Sequence, residues 1–95
     1  MVQRPYRDKR TERFANGEFV AQFDAFRTKA YEKLEFLEAA TSLGDLRHPP
    51  SNHFEKLSGT RRGQYSIRIN RQWRICFEWS DERHAAFNIE IVDYH

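Results

Sequence analysis

The sequence predicts an α+β fold, a small antiparallel β-sheet with helices packed on one face. Three observations lead there. Apolar residues recur at steps of three and four in the first half of the chain. Apolar residues recur at every second position along several stretches of the second half. The stretch "HPP" separates the two regimes. Helical spacing followed by strand spacing, with no return to helix, is the signature of segregated helices and strands. A chain of 95 residues has room for one core only, so residues 1–95 form a single domain.

The elements follow in order. "RPYRD" is a short extended start, with Pro5 suited to a sheet edge. "DKRTERFANG" predicts a short helix with Asp8 as N-cap and Gly17 just past its end. Phe23, Phe26, Ala30, Leu34 and Leu37 form one apolar stripe and predict an amphipathic helix over 22–40. Lys29, Glu32, Lys33, Glu35 and Glu38 fall on its polar side. In "TSLGDLRHPPSN", Thr41 or Ser42 caps a short turn, and Pro49 and Pro50 stop anything helical. This stretch reads as a surface crossover.

From there the period is two. "FEKLSG" reads as a short strand. Tyr65, Ile67 and Ile69 alternate with Ser66, Arg68 and Asn70. Trp73, Ile75, Phe77 and Trp79 alternate with Arg74, Cys76 and Glu78. Phe87, Ile89 and Ile91 alternate with Asn88, Glu90, Val92 and Tyr94. "NRQ" and "SDERH" are short enough to be hairpin turns, so these three strands form a meander. Its apolar face packs on the long helix. Its other face then gathers Arg68, Asn70, Arg74 and Tyr94.

Composition narrows the function. The N-terminus has no apolar stretch for a signal peptide, and no run approaches a membrane span. A cytoplasmic protein with no membrane partner is expected. Cys76 is the single cysteine, which excludes an internal disulfide and reads as a small buried hydrophobe. His48, His53 and His84 lack metal-ligand spacing, so neither a metal nor any other cofactor is expected. Net charge is only +2, yet residues 61–74 hold five arginines and no acid: Arg61, Arg62, Arg68, Arg71 and Arg74. A charge run can simply guard a strand edge. All five being Arg favours a phosphate-binding face, because the planar guanidinium fork matches phosphate oxygens.

The last three residues are Asp93, Tyr94 and His95. Beside the arginines they have a chemical reading. Cutting RNA at a ribose 2′-hydroxyl needs a base, an acid and a cation to steady charge on phosphorus. His95 is the side chain suited to proton transfer near neutrality. Tyr94 stacks on a base or handles a proton. Asp93 orients a neighbour or takes a proton. Arg74 or Arg68 clamps the phosphate.

The stretch "GQYSIRINRQWRICFEW" with the ending "EIVDYH" resembles the HigB toxins of the RelE/ParE superfamily. "FRTKAYEKLEFLEAATSLGDLRHPPSN" is similar to the same family's helix and crossover, so the likeness covers nearly the whole chain. The resemblance implies a RelE-like fold and a toxin of a type II toxin–antitoxin module. It implies an endoribonuclease that cuts mRNA in the A site of the 70S ribosome by metal-free 2′-hydroxyl attack, and so halts translation. Arg74, Asp93, Tyr94 and His95 match the family's catalytic positions. Arg61, Arg62, Arg68, Asn70 and Arg71 are the candidate RNA-binding residues. The implied partner is a HigA-like helix-turn-helix antitoxin, through which alone the chain would reach operator DNA. The antitoxin either covers the arginine face or docks elsewhere and blocks ribosome entry. Three positions depart from the family pattern: Ser58 replaces a common Lys, Asn70 an Arg, and Glu55 a His. The alternative reading is a ParE-like inhibitor that poisons gyrase on the same fold and cuts no RNA.

Overall fold

A computed structural model of the chain describes residues 4–94. Three helices come first: α1 (Lys9–Ala15), α2 (Ala21–Asp24) and α3 (Arg27–Ala39). Two 3₁₀ segments, Leu43–Arg47 and Pro50–Asn52, lead into strand β1 (Glu55–Lys56). A third, Gly59–Arg61, leads into β2 (Tyr65–Arg68), β3 (Trp73–Ser80) and β4 (Ala85–Asp93). The four strands form one antiparallel sheet in the order β1-β2-β3-β4. The α+β class and the meander are as the sequence predicts.

Register fixes the faces. Ile67 pairs with Ile75, and Ile75 with Ile91. All three are fully buried and pack with Phe14, Phe23, Leu34, Leu37 and Phe77. Each such side chain contributes about 1.5–3 kcal/mol by leaving water. Phe14 stacks on Tyr31 at 4.5 Å, and the Tyr31 hydroxyl donates to the Phe14 carbonyl at 2.8 Å, joining α1 to α3. The buried Thr11 Oγ1 accepts the Ile91 backbone N–H at 3.1 Å, joining α1 to β4. Gly17 has φ +93 just after α1, a conformation that glycine adopts without penalty. The extended start lies parallel to β4: Tyr6 bridges Ile89, and the Ile89 N–H donates to the Pro5 carbonyl at 3.0 Å.

Four local expectations need correction. The helix expected over 22–40 is interrupted at Ala25 and Phe26, where Phe26 takes φ −119 and ψ 25. The apolar stripe continues across the break because Phe23 and Phe26 both close on Trp73, with ring centroids 5.6 and 5.2 Å away. Pro50 does not stop helix; it opens the 3₁₀ turn Pro50–Asn52, where a missing N–H costs nothing. Lys33 is not on a solvated face. It is buried, and its Nζ donates to Asn52 Oδ1 at 2.6 Å and Ser51 Oγ at 3.3 Å. Asn52 in turn donates to the Leu46 and His48 carbonyls, so the crossover is anchored from beneath.

The fourth correction concerns β4. Alternation puts Phe87 on the core face with Ile89 and Ile91. The register instead shifts between Cys76 and Glu78, and Asn88 takes φ 51. A bulge turns every side chain before it to the opposite face. Phe87 therefore pairs with Glu78 on the polar face, while Ala86 and Trp79 pack toward the core.

Candidate nucleic-acid interface

The polar face is built by cross-strand pairing. Glu55 of β1 lies opposite Ser66 of β2, and Ser66 opposite Cys76 of β3. One step along, Arg68 lies opposite Arg74, and Arg74 opposite Val92 of β4. Side chains at these positions share a face because the strand period is two. The chain continues to Tyr94, whose N–H donates to the Gln72 carbonyl at 2.8 Å.

Arg74 is the centre. It is 9% exposed, unusual for an arginine, and every edge of its fork has a neighbour. Nε donates to Ser66 Oγ at 2.8 Å. Nη2 donates to the His53 carbonyl. Nη1 lies 3.7 Å from Glu55 Oε1. The Tyr94 ring centroid is 5.7 Å from the guanidinium carbon, within cation–π range. Arg68, half-buried, is held by its own contacts. Its Nε donates to the Asn70 carbonyl at 3.0 Å and its Nη1 lies 3.3 Å from His53 Nε2.

The β2–β3 turn is a fastened piece. Asn70 Oδ1 accepts the backbone N–H groups of Gln72 at 2.9 Å and Trp73 at 2.8 Å. An asparagine clasping its own backbone in this way sets the hairpin. Gln72 Nε2 then donates to Asp93 Oδ2 at 2.9 Å, so the turn also fixes the end of β4.

The expected site residues therefore divide. Arg68, Arg74 and Tyr94 come together on one face, with Asp93 held beside them through Gln72. Arg71 is exposed on the adjoining turn. Arg61 is engaged elsewhere, pairing with Glu90 at 3.2 Å and donating to Gln64 at 3.0 Å. Arg62 is exposed and has no ion pair or side-chain hydrogen bond among the described residues. His95 lies outside the described residues. Cys76 is buried on this face, and burial pushes its thiol pKa up, which favours an unreactive SH.

The sequence assigns no site role to His53 or Ser66, and marks Glu55 only as a departure from the family pattern. Ser66 carries a signal, because it alternates in phase with Arg68. His53 carries none. Glu55 reaches the site because the two-residue strand β1 pairs with β2, and His53 because it ends the 3₁₀ turn just before that strand.

Among the described residues, no group of three His, Cys, Asp or Glu side chains is placed to hold a metal ion. No helix among them is long and apolar enough to cross a membrane.

Comparison with known proteins adds the lineage. Residues 4–95 match the family described as HigB-like toxin, "RelE-like toxin of type II toxin-antitoxin system HigB". The chain is 51% identical over 51 residues to Toxin HigB-1 of Vibrio cholerae serotype O1, covering 54% of each chain. It is 39% identical over 49 residues to an uncharacterized protein of Haemophilus influenzae, covering 52% of this chain and 48% of that one. It is 30% identical over 64 residues to Endoribonuclease HigB of Proteus vulgaris, covering 67% of this chain and 66% of that one. The chain thus spans about half the length of the first two relatives and about two thirds of the third.

Proposed function

Because the chain belongs to the HigB-like family of RelE-like type II toxins, we propose that it is an endoribonuclease that cuts mRNA on the ribosome, in the A site, and so arrests translation. The observation that carries this reading is the pairing of Arg68 with Arg74 across two strands, with Tyr94 against Arg74. Two guanidinium forks side by side suit a single phosphodiester, and an aromatic ring beside them suits a base. The Proteus vulgaris relative is named an endoribonuclease, which supports this reading.

The chemistry proposed is metal-free transesterification. The ribose 2′-oxygen attacks phosphorus and gives up its proton to a base. The P–O5′ bond breaks, and an acid protonates the departing O5′. The products are a 2′,3′-cyclic phosphate and a 5′-hydroxyl. Asp93, Tyr94 and His95 supply the base and the acid, and Arg68 and Arg74 steady the charge on the phosphoryl oxygens. Glu55 stands half-exposed beside Arg74, at a distance too long for a hydrogen bond, and yields to the incoming phosphate. The toxin–antitoxin family implies an antitoxin partner. A HigA-like helix-turn-helix protein is the partner proposed, operator DNA is reached only through it, and action on 70S ribosomes places the chain in the cytoplasm.

The test is cleavage of a translated message by the purified chain. A 2′-deoxy residue immediately 5′ of the scissile phosphate should abolish the cut, and His95→Gln should abolish cutting while ribosome binding persists. Equal cleavage of the deoxy message would show that the 2′-oxygen is not the nucleophile.

A further inference from the structure

Beside Arg68 the surface sinks into an open groove of about 380 Å³ between α3, the crossover and the β2–β3 turn, and Arg74 is not among its lining residues. Lys29, Lys33, Ser51, Arg68, Asn70 and Arg71 line it, with His53 on the wall shared with the Arg74 site. No carboxylate is among the lining residues. Four cationic side chains meet there in a chain whose net charge is only +2.

The hydrogen bonds prepare the groove for an anion. Ser51 Oγ accepts a proton of the buried Lys33 ammonium at 3.3 Å. Its own O–H is then left to donate outward, and Ser51 is exposed. Arg68 spends Nε and one Nη1 hydrogen on Asn70 and His53, which fixes the plane of its fork and leaves the Nη2 hydrogens as donors. Arg71 is exposed with no ion pair among the described residues. Lys29 is loosely paired with Glu32 at 3.4 Å on the same helix, a surface contact that competes weakly with a phosphate. Burial pulls the Lys33 pKa down from its ordinary value.

We propose that this groove is a second phosphate subsite. It takes the RNA phosphate next to the scissile one, so that the strand leaves the Arg74 site across the β2–β3 turn toward α3. Arg68 stands between the two phosphates, and Ser51 and Arg71 hold the outer one. The proposal rests on the RNA-cutting reading for its substrate.

The test uses two single-stranded RNA probes, each with a 2′-deoxy residue that blocks cutting: a dinucleotide with one phosphate and a trinucleotide with two. Binding to the full chain is followed by fluorescence anisotropy across a salt series. Ser51→Ala with Arg71→Ala, both exposed positions, should weaken trinucleotide binding about tenfold. The double variant should also lower the salt slope by roughly 0.7, the value for one single-strand phosphate contact. Dinucleotide binding should stay within twofold of the parent.

Unchanged trinucleotide binding, or equal losses with both probes, overturns the subsite and leaves the nuclease reading standing. Preserved oligonucleotide binding with weakened association to ribosomes free of message also overturns it, assigning the groove to ribosomal RNA. If the parent chain cuts no message yet shows the predicted loss on the trinucleotide, the nuclease reading fails and the subsite stands.

Discussion

Replacing Arg74 by lysine keeps the charge and removes the fork, which separates two jobs that the structure gives to one side chain. The fork spans Ser66 Oγ and the His53 carbonyl through two different nitrogens. A single ammonium holds one of these acceptors and abandons the other. A hydrogen bond to a charged group contributes about 1.5–3 kcal/mol. Ser66 is fully buried, so the loss falls at the upper part of that range if its hydroxyl is the one abandoned. The Glu55 contact adds little, because Glu55 is half-exposed and 3.7 Å away. Against a typical total stability of about 5–15 kcal/mol, Arg74→Lys should remain folded at 25 °C with a measurably lower urea midpoint. Activity should fall much further. Loss of an oriented donor at a developing anion costs about 10²–10³ in rate. Single-turnover cleavage of message on saturating ribosomes reads that step, with Arg83→Lys, an exposed arginine between β3 and β4, as a control for general loss of charge geometry. A lysine variant that cuts at the parent rate would refute the phosphate clamp at Arg74. An unchanged urea midpoint would refute the structural half of the argument.

Other outcomes follow from single contacts. Glu55→Gln removes a carboxylate beside Arg74 and should tighten binding of an uncleavable RNA about threefold at low salt, with the gain disappearing as salt rises; weaker binding would contradict it. Thr11→Val leaves the Ile91 N–H without its acceptor and should cost about 1–3 kcal/mol, read as a Tm lower by at least ~4 °C. The folded chain holds the Lys33 proton less tightly than the unfolded chain does. In the window just below the ordinary lysine pKa of 10.5, the unfolded state therefore binds more protons, and stability from this group rises with pH. Subtracting the urea-derived pH profile of Lys33→Met should isolate that rise, and identical profiles would exclude it.

The sheet was legible because its two central strands alternate without a fault. Tyr65 to Arg68 and Trp73 to Ser80 fall on the predicted faces, and that alone puts Arg68 beside Arg74. The break at Ala25 and Phe26 was hidden, since a stripe of side chains does not register one non-helical residue when both flanking aromatics reach the same tryptophan. The bulge had a faint signal: an asparagine inside a strand, of the kind that tolerates a left-handed backbone. Lys33 reads as solvated because its partners, Ser51 and Asn52, arrive from across the crossover. The places of His53 and Glu55 beside Arg74 were hidden for a related reason. The strand that carries Glu55 is two residues long and His53 lies just before it, and no pattern that short encodes a register.

The start of the described chain has a consequence for behaviour in concentrated solution. A sheet's outermost strands ordinarily expose rows of unsatisfied peptide groups that invite a second molecule to stack. Here the Pro5 and Arg4 carbonyls take the Ile89 and Asn88 N–H groups, and the opposite border is only two residues long. With both flanks closed or curtailed, little template remains for fibril growth. A protein so rich in β-branched and aromatic segments can therefore stay dispersed without help from a large net charge.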